Sequence, residues 1–430
     1  MKYFLSLLLY RLLTFLLLPL LLLALLIRSR KSPQYRQRLF ERLGFLPKSM
    51  QKNGIVVHAA SVGEVIALKN FIDQLIHTYD DVPITVTTFT PTGSDQVKKL
   101  FQNKVQHCYL PIDSIFCSWL FLKKLQPKAM IFMETELWPS IIAQCAKKRI
   151  KLLLINGRLS TKSVRGYKKV HWLFTPTIKH FDQILTQSQI DCEHFIKLGA
   201  NPQQCHSSGN LKFDISVNKS LKAKQVELKS FVQGERQLWV VASTHQGDED
   251  IVLSSFTQLL KKSPELLLVI VPRHPERFNE VAQLCEKQGF TISRRSEQET
   301  VTPQTQIWLL DTLGELLPTC ALATVVTIGG TFSELGGHNP LEAALFKKPI
   351  VVGADMSSFF EVMQQLTDAR GIVQLSNHLK IEEQLSINIE KILIDKQLQL
   401  TLGENAYKVV QENQGASDKS ILALQTLIKS

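Results

Sequence analysis

The chain begins with a leucine-rich hydrophobic run that ends in positive charge. From Leu12 to Ile27 only Thr14 is polar. The run is closed by three basic residues: Arg28, Arg30 and Lys31. The run extends back to Phe4 if Ser6 and Arg11 are allowed near one end. At a rise of about 1.5 Å per residue, these roughly 24 residues span about 36 Å, enough to cross a hydrocarbon core of about 30 Å. The pattern therefore predicts a helix that meets a membrane.

A cleaved signal peptide is an alternative interpretation of this run. It requires a short apolar core and a small-residue cleavage site, whereas here the run is long and Arg-Ser-Arg-Lys follows it. A helix that inserts only halfway also stays open, because Arg11 and Pro19 interrupt the span. We therefore predict an uncleaved anchor. Positive charges are more numerous after the run than before it, which predicts that the body lies in the cytoplasm.

Beyond the anchor, short β-rich runs alternate with longer segments of helical periodicity. Strands of the first half are predicted at 55–58, 84–87, 130–133, 152–155 and 184–186. A helical pattern over 141–148 separates two of them. This alternation is typical of right-handed βαβ units and a parallel sheet.

The pattern changes over 216–235, which is polar and lysine-rich, and then restarts. Further strands are predicted at 238–242, 266–271, 307–310, 324–328 and 350–352, and 382–429 is predicted to be helical. Doubly wound α/β halves bind ligands at the carboxyl ends of their strands. We therefore predict an α/β fold of GT-B type, with two Rossmann-like doubly wound domains facing a central cleft, although fold alone does not decide function.

The predicted organisation follows these breaks. It has a membrane anchor over 1–31, an amino-terminal acceptor-binding domain over 32–215, a linker over 216–235, and a nucleotide-sugar-binding domain over 236–430 whose terminal helices return toward the first domain. A length of 430 residues suits two or three domains.

Composition adds two constraints. The seven cysteines are scattered without a C-x-x-C or metal-ligand spacing, which predicts reduced thiols that mostly fill the core. Part of the net charge of +12 is concentrated in 28–42. Directly after a membrane segment, such a cluster favours anionic headgroups or phosphates, or it is a solvated basic linker that sets topology. No nucleic-acid-binding motif accompanies it.

The segment 58–64, His-Ala-Ala-Ser-Val-Gly-Glu, carries the first candidate chemistry. Small residues at a strand-to-helix turn allow close backbone approach, and exposed N–H groups there favour anions. Glu64 is then a candidate general base at the carboxyl edge of the sheet, supported by Ser61 and Gly63. The same S-x-x-E spacing also fits a capping box, in which Ser61 caps the helix and Glu64 bonds back. Both interpretations stay open.

Two carboxylates, Glu134 and Glu136, follow a wholly apolar strand. Period-two alternation predicts that they share one side, where they orient an acceptor or tune Glu64. The alternative is a strand-to-helix turn with Pro139 at the helix start. Weaker motifs at 156–160 and 209–214 add Arg158 and Lys212 to the candidate acceptor group.

In the second half, Arg273 and His274 follow a predicted strand. Arginine offers a planar fork for phosphate, and histidine donates a hydrogen bond or a charge. A plain proline-rich surface turn is the alternative.

Two glycine pairs, at 329–330 and 336–337, bracket a short loop before a helix with Pro340 in its first turn. The loop is neither a P-loop nor a G-x-G-x-x-G fingerprint. Its backbone amides could still hold a phosphate, with Glu342 bonding ribose hydroxyls, or it is a purely structural turn. The candidate donor group is completed by residues of this loop and of the short motif at 242–245: Ser243, Thr244, Gly330, Thr331 and Asn339.

Together these motifs resemble the bacterial Kdo transferases, glycosyltransferases that add 3-deoxy-D-manno-octulosonic acid (Kdo) to lipid A. The resemblance covers nearly the whole chain and rests on the anchor and on motifs in one order: 35–44, 58–64, 109–113, 134–139, 156–163, 209–214, 243–250, 273–275 and 329–344. One departure follows Gly353, where the family usually has Pro-His and then Asn-Phe. Here 354–359 reads Ala-Asp-Met-Ser-Ser-Phe, so no contacts of that loop are carried over.

The resemblance implies a GT-B fold, CMP-Kdo as donor, and a lipid A precursor (lipid IVA) as acceptor. It implies inverting transfer without a metal or cofactor, on the cytoplasmic face of the inner membrane. Glu64 matches the position regarded as the catalytic base, which deprotonates the acceptor hydroxyl. Arg273, His274 and the segment 330–342 match the part of the family that binds the cytidine nucleotide.

Two other classes stay open. A nucleotide-sugar epimerase has the same two-domain architecture and glycine-rich loops, although a soluble nucleotide sugar needs no membrane anchor. A non-catalytic, membrane-tethered binder would keep nucleotide binding and would not need Glu64.

Overall fold

The computed structural model describes residues 2–30, 32–214, 217, 219–376 and 380–429. Lys31, at the end of the predicted anchor, and Ile215 and Ser216, at the predicted domain limit, lie outside the described residues. The chain divides into two compact units, Met1–Asp214 with Asn413–Ser430, and Ile215–Glu412. Each is built on a parallel sheet with helices, so the predicted α/β class is confirmed.

The first unit contains a seven-stranded sheet in the order β3-β2-β1-β4-β5-β6-β7. Its strands are β1 (Ile55–His58), β2 (Ile84–Thr88), β3 (Gln106–Tyr109), β4 (Ala129–Met133), β5 (Lys151–Gly157), β6 (Gln183–Thr186) and β7 (Cys205–Ser207). Its helices are α1 (Lys2–Arg28), α2 (Leu39–Arg42), α3 (Val62–Ala67), α4 (Lys69–Thr78), α5 (Pro91–Phe101), α6 (Ile115–Leu125), α7 (Pro139–Lys147), α8 (Thr161–Lys169), α9 (His171–Ile178), α10 (Gln189–Lys197) and α19 (Ala416–Lys429).

Helices cover both faces of this sheet, which explains why its central strands are continuously apolar. Val56 pairs with Met130 and Val57 with Ile131 across β1 and β4. Because side chains alternate along a strand, the first pair enters one hydrophobic cluster and the second pair enters the cluster on the opposite face. Both clusters consist of buried residues, and they hold the strands of the sheet in place.

The end of the chain packs back onto the first unit. Helix α19 contacts α4 and β5, and its Leu424 is buried in the core. The Asp214 carboxylate accepts hydrogen bonds from the N–H groups of Gly415 at 2.7 Å and Ser417 at 2.5 Å. Asp214 therefore ties the loop after β7 to the start of α19.

The second unit contains a seven-stranded sheet in the order β10-β11-β9-β8-β12-β13-β14. Its strands are β8 (Leu238–Thr244), β9 (Leu267–Pro272), β10 (Ile292–Arg294), β11 (Ile307–Leu309), β12 (Val325–Ile328), β13 (Ile350–Val352) and β14 (Val373–Gln374). Its helices are α11 (Lys219–Phe231), α12 (Asp248–Leu260), α13 (Phe278–Lys287), α14 (Leu316–Leu322), α15 (Leu341–Ala344), α16 (Phe360–Asp368), α17 (Ile381–Ile394) and α18 (Lys396–Asn413).

The structure adds detail that the apolar pattern did not predict. The segment 216–235, expected to be a linker, contains helix α11. Four strands were missed, β3, β7, β10 and β14, and they are the edge strands of the two sheets. All seven cysteines are buried and unpaired, which confirms the predicted thiols.

Helix α1 is continuous through Pro19. By length and composition, its residues Tyr3–Arg28 make a candidate membrane span with a mean hydropathy of 2.4. The start of the helix is bonded to the rest of the first unit. The Tyr10 hydroxyl donates to the Asp113 carboxylate at 2.9 Å, and Arg11 Nε donates to Ser140 Oγ at 3.3 Å. Asp113 also accepts the N–H groups of Ser140 and Ile141 at the start of α7, both at 2.8 Å.

Candidate functional site

The turn after β1 fixes the Glu64 carboxylate at the carboxyl edge of the first sheet. Ser61 is the N-cap of α3, and its hydroxyl oxygen accepts the Glu64 N–H. The Ser61 hydroxyl donates to Glu64 Oε1 at 2.8 Å, and the Ala60 N–H donates to Oε2 at 2.9 Å. The capping interpretation is therefore confirmed for Ser61, whereas Glu64 bonds back to the N–H of Ala60, one residue before the N–H that a capping box uses. It does not exclude a chemical role, because the same bonds orient a carboxylate that remains partly exposed.

The surroundings of Glu64 raise the pKa of its carboxyl above the ordinary value. Burial is the main cause; the bonds from Ala60 and Ser61 work against it, and the negative charge of Glu136 adds to the rise. A carboxylate with a raised pKa accepts a proton more readily. Next to it, a Cβ built on Gly63 would meet nothing within 4 Å, so open space adjoins this turn.

Glu136 is held near the same place by two aromatic side chains. Its Oε2 accepts the Trp138 indole N–H at 2.7 Å and lies 3.3 Å from Nε2 of the buried His58. Glu134 has a φ of +54°, in the left-handed region, and β4 has already ended at Met133. The period-two argument for the two acids is therefore wrong here, because they do not lie on a continuing strand.

The remaining acceptor candidates follow neighbouring strands of the same sheet. The Thr135 hydroxyl donates to the Arg158 carbonyl at 3.3 Å, which joins the loops after β4 and β5. Asn156 Oδ1 accepts the Leu211 N–H at 3.0 Å, which joins the end of β5 to the short helix that carries Lys212. The predicted acceptor residues thus lie on connected loops at one sheet edge.

In the second unit, two of the donor candidates hold the end of β8. Ser243 has a φ of +60° at a register irregularity in β8. A Cβ on Gly329 would lie 2.5 Å from the Ser243 carbonyl oxygen, so only glycine allows β12 to approach this closely. The Thr244 hydroxyl donates to Glu249 at 2.6 Å, and Arg277 binds the same carboxylate at 2.8 Å.

Two further donor candidates are used inside the glycine-rich loop. The Gly330 N–H donates to Asp248 Oδ2 at 2.7 Å. The buried Thr331 hydroxyl donates to the Ile328 carbonyl at 2.7 Å and accepts the Gly353 N–H at 2.8 Å. These groups set the shape of the loop, and in this structure their hydrogen bonds are made within the protein.

The other four donor candidates reach the surface. Arg273 and His274 are exposed after β9, while Asn339 and Glu342 are partly exposed at the start of α15. Burial raises the pKa of Glu342 to about 7, and the nearby positive charge of Arg273 opposes that rise. The structure therefore brings a guanidinium, an imidazole, an amide and a carboxyl of raised pKa to the carboxyl edge of the second sheet.

Two histidines that received no role from the sequence lie in this cluster. Nε2 of His245 is 2.7 Å from Nε2 of His338, and their rings stack with centroids 5.0 Å apart. His274 packs edge-on against His245 at 5.1 Å. Burial lowers the pKa of His245, and it lowers that of His338 to about 4 with help from Arg273. Both rings are thus neutral near pH 7. The sequence signal that could have found them is position: His245 directly follows β8, and His338 directly precedes Asn339.

The loop that departs from the family pattern packs against the second glycine pair. Asp355 Oδ2 accepts the Gly336 N–H at 2.6 Å, and the Ser358 N–H donates to the Gly336 carbonyl at 3.0 Å. A Cβ on Gly337 would lie 2.4 Å from Met356 Sδ. The loop 354–359 therefore supports the glycine turn through contacts of its own.

Comparison with known proteins identifies a matching family and similar relatives. The profile of the 3-deoxy-D-manno-octulosonic-acid transferase (kdotransferase) family matches residues 37–215. Over 401 residues the chain is 38% identical to a 3-deoxy-D-manno-octulosonic acid transferase of Haemophilus influenzae, covering 93% of each chain.

Two solved structures are similar in fold. A UDP-GlcNAc 2-epimerase from Neisseria meningitidis matches with a TM-score of 0.54 and 15% identity, covering 89% of this chain and 100% of its own. A glycosyltransferase from Rickettsia africae matches with a TM-score of 0.52 and 11% identity, covering 88% of this chain and 99% of its own. At such low identity these likenesses show the fold alone, and they confirm the predicted GT-B type.

Proposed function

Because the chain belongs to the Kdo transferase family of glycosyltransferases, we propose that it transfers Kdo from CMP-Kdo to a lipid A precursor, lipid IVA. The observation that carries the proposal is Glu64, a partly exposed carboxylate oriented by Ser61 and Ala60 whose pKa is raised by burial. A group of this kind is what the activation of a sugar hydroxyl requires.

In the proposed reaction, Glu64 accepts the proton of the acceptor hydroxyl as that oxygen attacks the anomeric carbon of Kdo. The bond from that carbon to the CMP phosphate breaks, and attack from the opposite side inverts the configuration. CMP leaves as a stable anion, so the enzyme mainly has to orient the donor and stabilise developing charge. We assign no metal to this step.

Glu136 is proposed to tune the pKa of Glu64, while Glu64 itself is the base. Its negative charge favours the protonated form of Glu64, which makes Glu64 a stronger proton acceptor in the reaction. Ser61, Gly63, Glu134, Arg158 and Lys212 are proposed to support the acceptor at the same edge. The open space beside Gly63 is compatible with a sugar lying against the turn.

We propose that the second unit binds the nucleotide sugar. Arg273 and His274 contact the phosphate, because a guanidinium fork and an imidazole N–H both suit phosphate oxygens. Glu342 and Asn339 bond the ribose. Thr244, Gly330 and Thr331 are proposed to shape the donor site, since their polar groups are already bonded within the fold. Ser243 is proposed to do so through its backbone, which lies close to Gly329.

The proposed location is the cytoplasmic face of the inner membrane, with α1 as a single amino-terminal anchor. Two features support it: the apolar composition of α1, and the basic residues that follow the helix, which by the positive-inside rule stay on the cytoplasmic side.

Mass spectrometry of the product tests the proposal. The full chain is incubated with CMP-Kdo and a tetraacylated lipid A precursor, and we expect lipid that is heavier by one or more Kdo units, with CMP release that requires the lipid. Unmodified lipid would refute the proposal. Lipid-independent turnover of a UDP-sugar would instead favour an epimerase, whose likeness to this chain extends to fold alone.

A further inference from the structure

The outer face of α6 carries an aromatic cluster that the proposed chemistry does not use. Phe116 and Trp119 stack with ring centroids 6.3 Å apart, and Phe45 packs edge-on against Phe116 at 6.4 Å. These side chains are 50%, 40% and 50% exposed, respectively. Ile115 on the same helix is also exposed. We refer to Phe45, Ile115, Phe116 and Trp119 as the α6 patch.

The fold holds the side chains of the α6 patch in fixed positions. The opposite face of α6 is anchored in the core through Phe121 and Leu122. Gly44 has a φ of +87°, and a Cβ there would lie 2.3 Å from the Cys117 carbonyl oxygen. The loop that presents Phe45 is therefore pressed against α6 in a way that only glycine permits. The fold orders these aromatic side chains and leaves them facing solvent.

Basic residues border the α6 patch. Lys123 Nζ lies 4.7 Å from the centre of the Trp119 ring. Lys124 Nζ donates to the backbone carbonyl of Lys48 at 3.0 Å, which holds a second cation against the loop that follows Phe45. Aromatic rings flanked by lysines suit the boundary between lipid headgroups and acyl chains, where anionic lipids attract the cations.

The apolar helix α1 is bonded to the unit next to the start of α6. Asp113 immediately precedes Ser114, the N-cap of α6. It accepts the Tyr10 hydroxyl from α1 at 2.9 Å. Ile115 and Phe116 are thus close along the chain to the point where α1 is bonded. The point where α1 is bonded and the first turn of α6 therefore lie in the same region of the unit.

We propose that the α6 patch is a second membrane-contact surface, which inserts its aromatic side chains at the headgroup boundary of a bilayer containing anionic lipid. The proposal rests on the membrane location proposed above and does not depend on the transferase chemistry. It predicts that the body of the enzyme lies against the lipid through α6 as well as through α1.

Site-specific labels on the full chain test the proposal. An added cysteine at Phe116→Cys, Trp119→Cys or Leu16→Cys carries a nitroxide, and the unsubstituted chain, whose seven native thiols are buried, is the labelling blank. Leu422→Cys, at an exposed leucine on α19 of the same unit, is the control. In vesicles with anionic lipid, the labels at 116 and 119 are expected to become more accessible to membrane-dissolved oxygen and less accessible to a water-soluble relaxation agent. The label at 422 is expected to stay in water.

The label at 16 tests the membrane location of α1 separately from the membrane contact of the α6 patch. If it contacts lipid while those at 116 and 119 stay in water, the α6 patch proposal is refuted and the membrane location stands. If the label at 16 also stays in water, the membrane location itself is wrong.

Two further measurements complete the test: a series of protein-to-lipid ratios and the charge variant Lys123→Glu. The signal at 116 is expected to be independent of the protein-to-lipid ratio; a rise with that ratio would refute the proposal in favour of contact between two copies of the chain. Lys123→Glu is expected to reduce the oxygen accessibility at 116 in anionic vesicles while the label at 16 is unchanged, and an unchanged value at 116 would contradict the role of the bordering cations.

Discussion

The Glu136 carboxylate lies 3.3 Å from Nε2 of His58, a side chain with no exposed surface at the end of β1. The same oxygen accepts the Trp138 indole N–H at 2.7 Å. Glu136 is thereby held between two rings that come from different strand ends, close enough to raise the pKa of Glu64. The charge of Glu136 and the pKa of Glu64 are therefore linked, and this link can be measured.

Glu64→Gln is expected to reduce kcat by at least about 100-fold, the low end for removal of a positioned general base. The amide oxygen of glutamine can still accept a hydrogen bond at the turn, so the fold is expected to persist. The dissociation constant for CMP is expected to stay within about twofold, because Glu64 belongs to the other unit. Product formation by mass spectrometry and CMP binding by calorimetry check both.

Ser61→Ala is the matched control for capping. It removes the helix cap and is expected to cost about 1 kcal/mol of stability, seen as a lower thermal midpoint, with a much smaller loss of kcat than Glu64→Gln. Equal losses of kcat in the two variants, or normal turnover of Glu64→Gln, would contradict the assigned base.

The pH profile of kcat/KM is expected to fall on the acid side as Glu64 becomes protonated, because a protonated carboxyl accepts no further proton. The raised pKa places this limb above about 4.5, the ordinary value for glutamate. Glu136→Gln removes a negative charge that favours protonation, so the limb is expected to move to lower pH. A limb that stays in place in this variant would show that the two carboxylates are not coupled.

Arg273→Ala is expected to weaken CMP binding by about tenfold or more, the usual effect of losing one charge-assisted hydrogen bond. Arg370→Ala, which removes an exposed arginine elsewhere in the second unit, is the control and is expected to leave binding unchanged. Calorimetric titration with CMP measures both. Equal affinities in the two variants would remove Arg273 from the phosphate contact.

Two glycines are expected to respond oppositely to alanine. Gly63→Ala meets open space in a helix, so the thermal midpoint is expected to stay level or rise, with up to about 1 kcal/mol of added stability, while the KM for the lipid acceptor increases. Gly329→Ala collides with the Ser243 carbonyl and is expected to cost about 1–3 kcal/mol. A normal acceptor KM in Gly63→Ala would argue against acceptor contact at this turn.

The apolar pattern predicted the inner strands of both sheets and failed at their edges. β1 and β13 match their predicted limits, because strands buried on both faces need uninterrupted apolar runs. The missed edge strands are short or partly polar: β7 reads Cys-His-Ser and β14 reads Val-Gln. An edge strand packs less deeply and pairs on one side alone, so its composition resembles that of a loop.

The same limit applies to the candidate site. Motifs at strand ends predicted which loops matter, because parallel strands deliver their carboxyl ends to one edge. They could not predict that Thr244 and Thr331 use their hydroxyls inside the fold. Nor could they pair His245 with His338, which are 93 residues apart in the chain and meet through tertiary packing.

The bond between Arg11 and Ser140 joins helix α1 to the first turn of α7, four residues beyond Glu136. The loop that carries Glu136 and helix α1 are thereby linked within the first unit. With the membrane location proposed above, the enzyme is expected to meet a lipid-borne substrate by diffusing laterally in the leaflet. Its turnover is then expected to follow the surface density of that substrate in the membrane and to depend little on the bulk concentration.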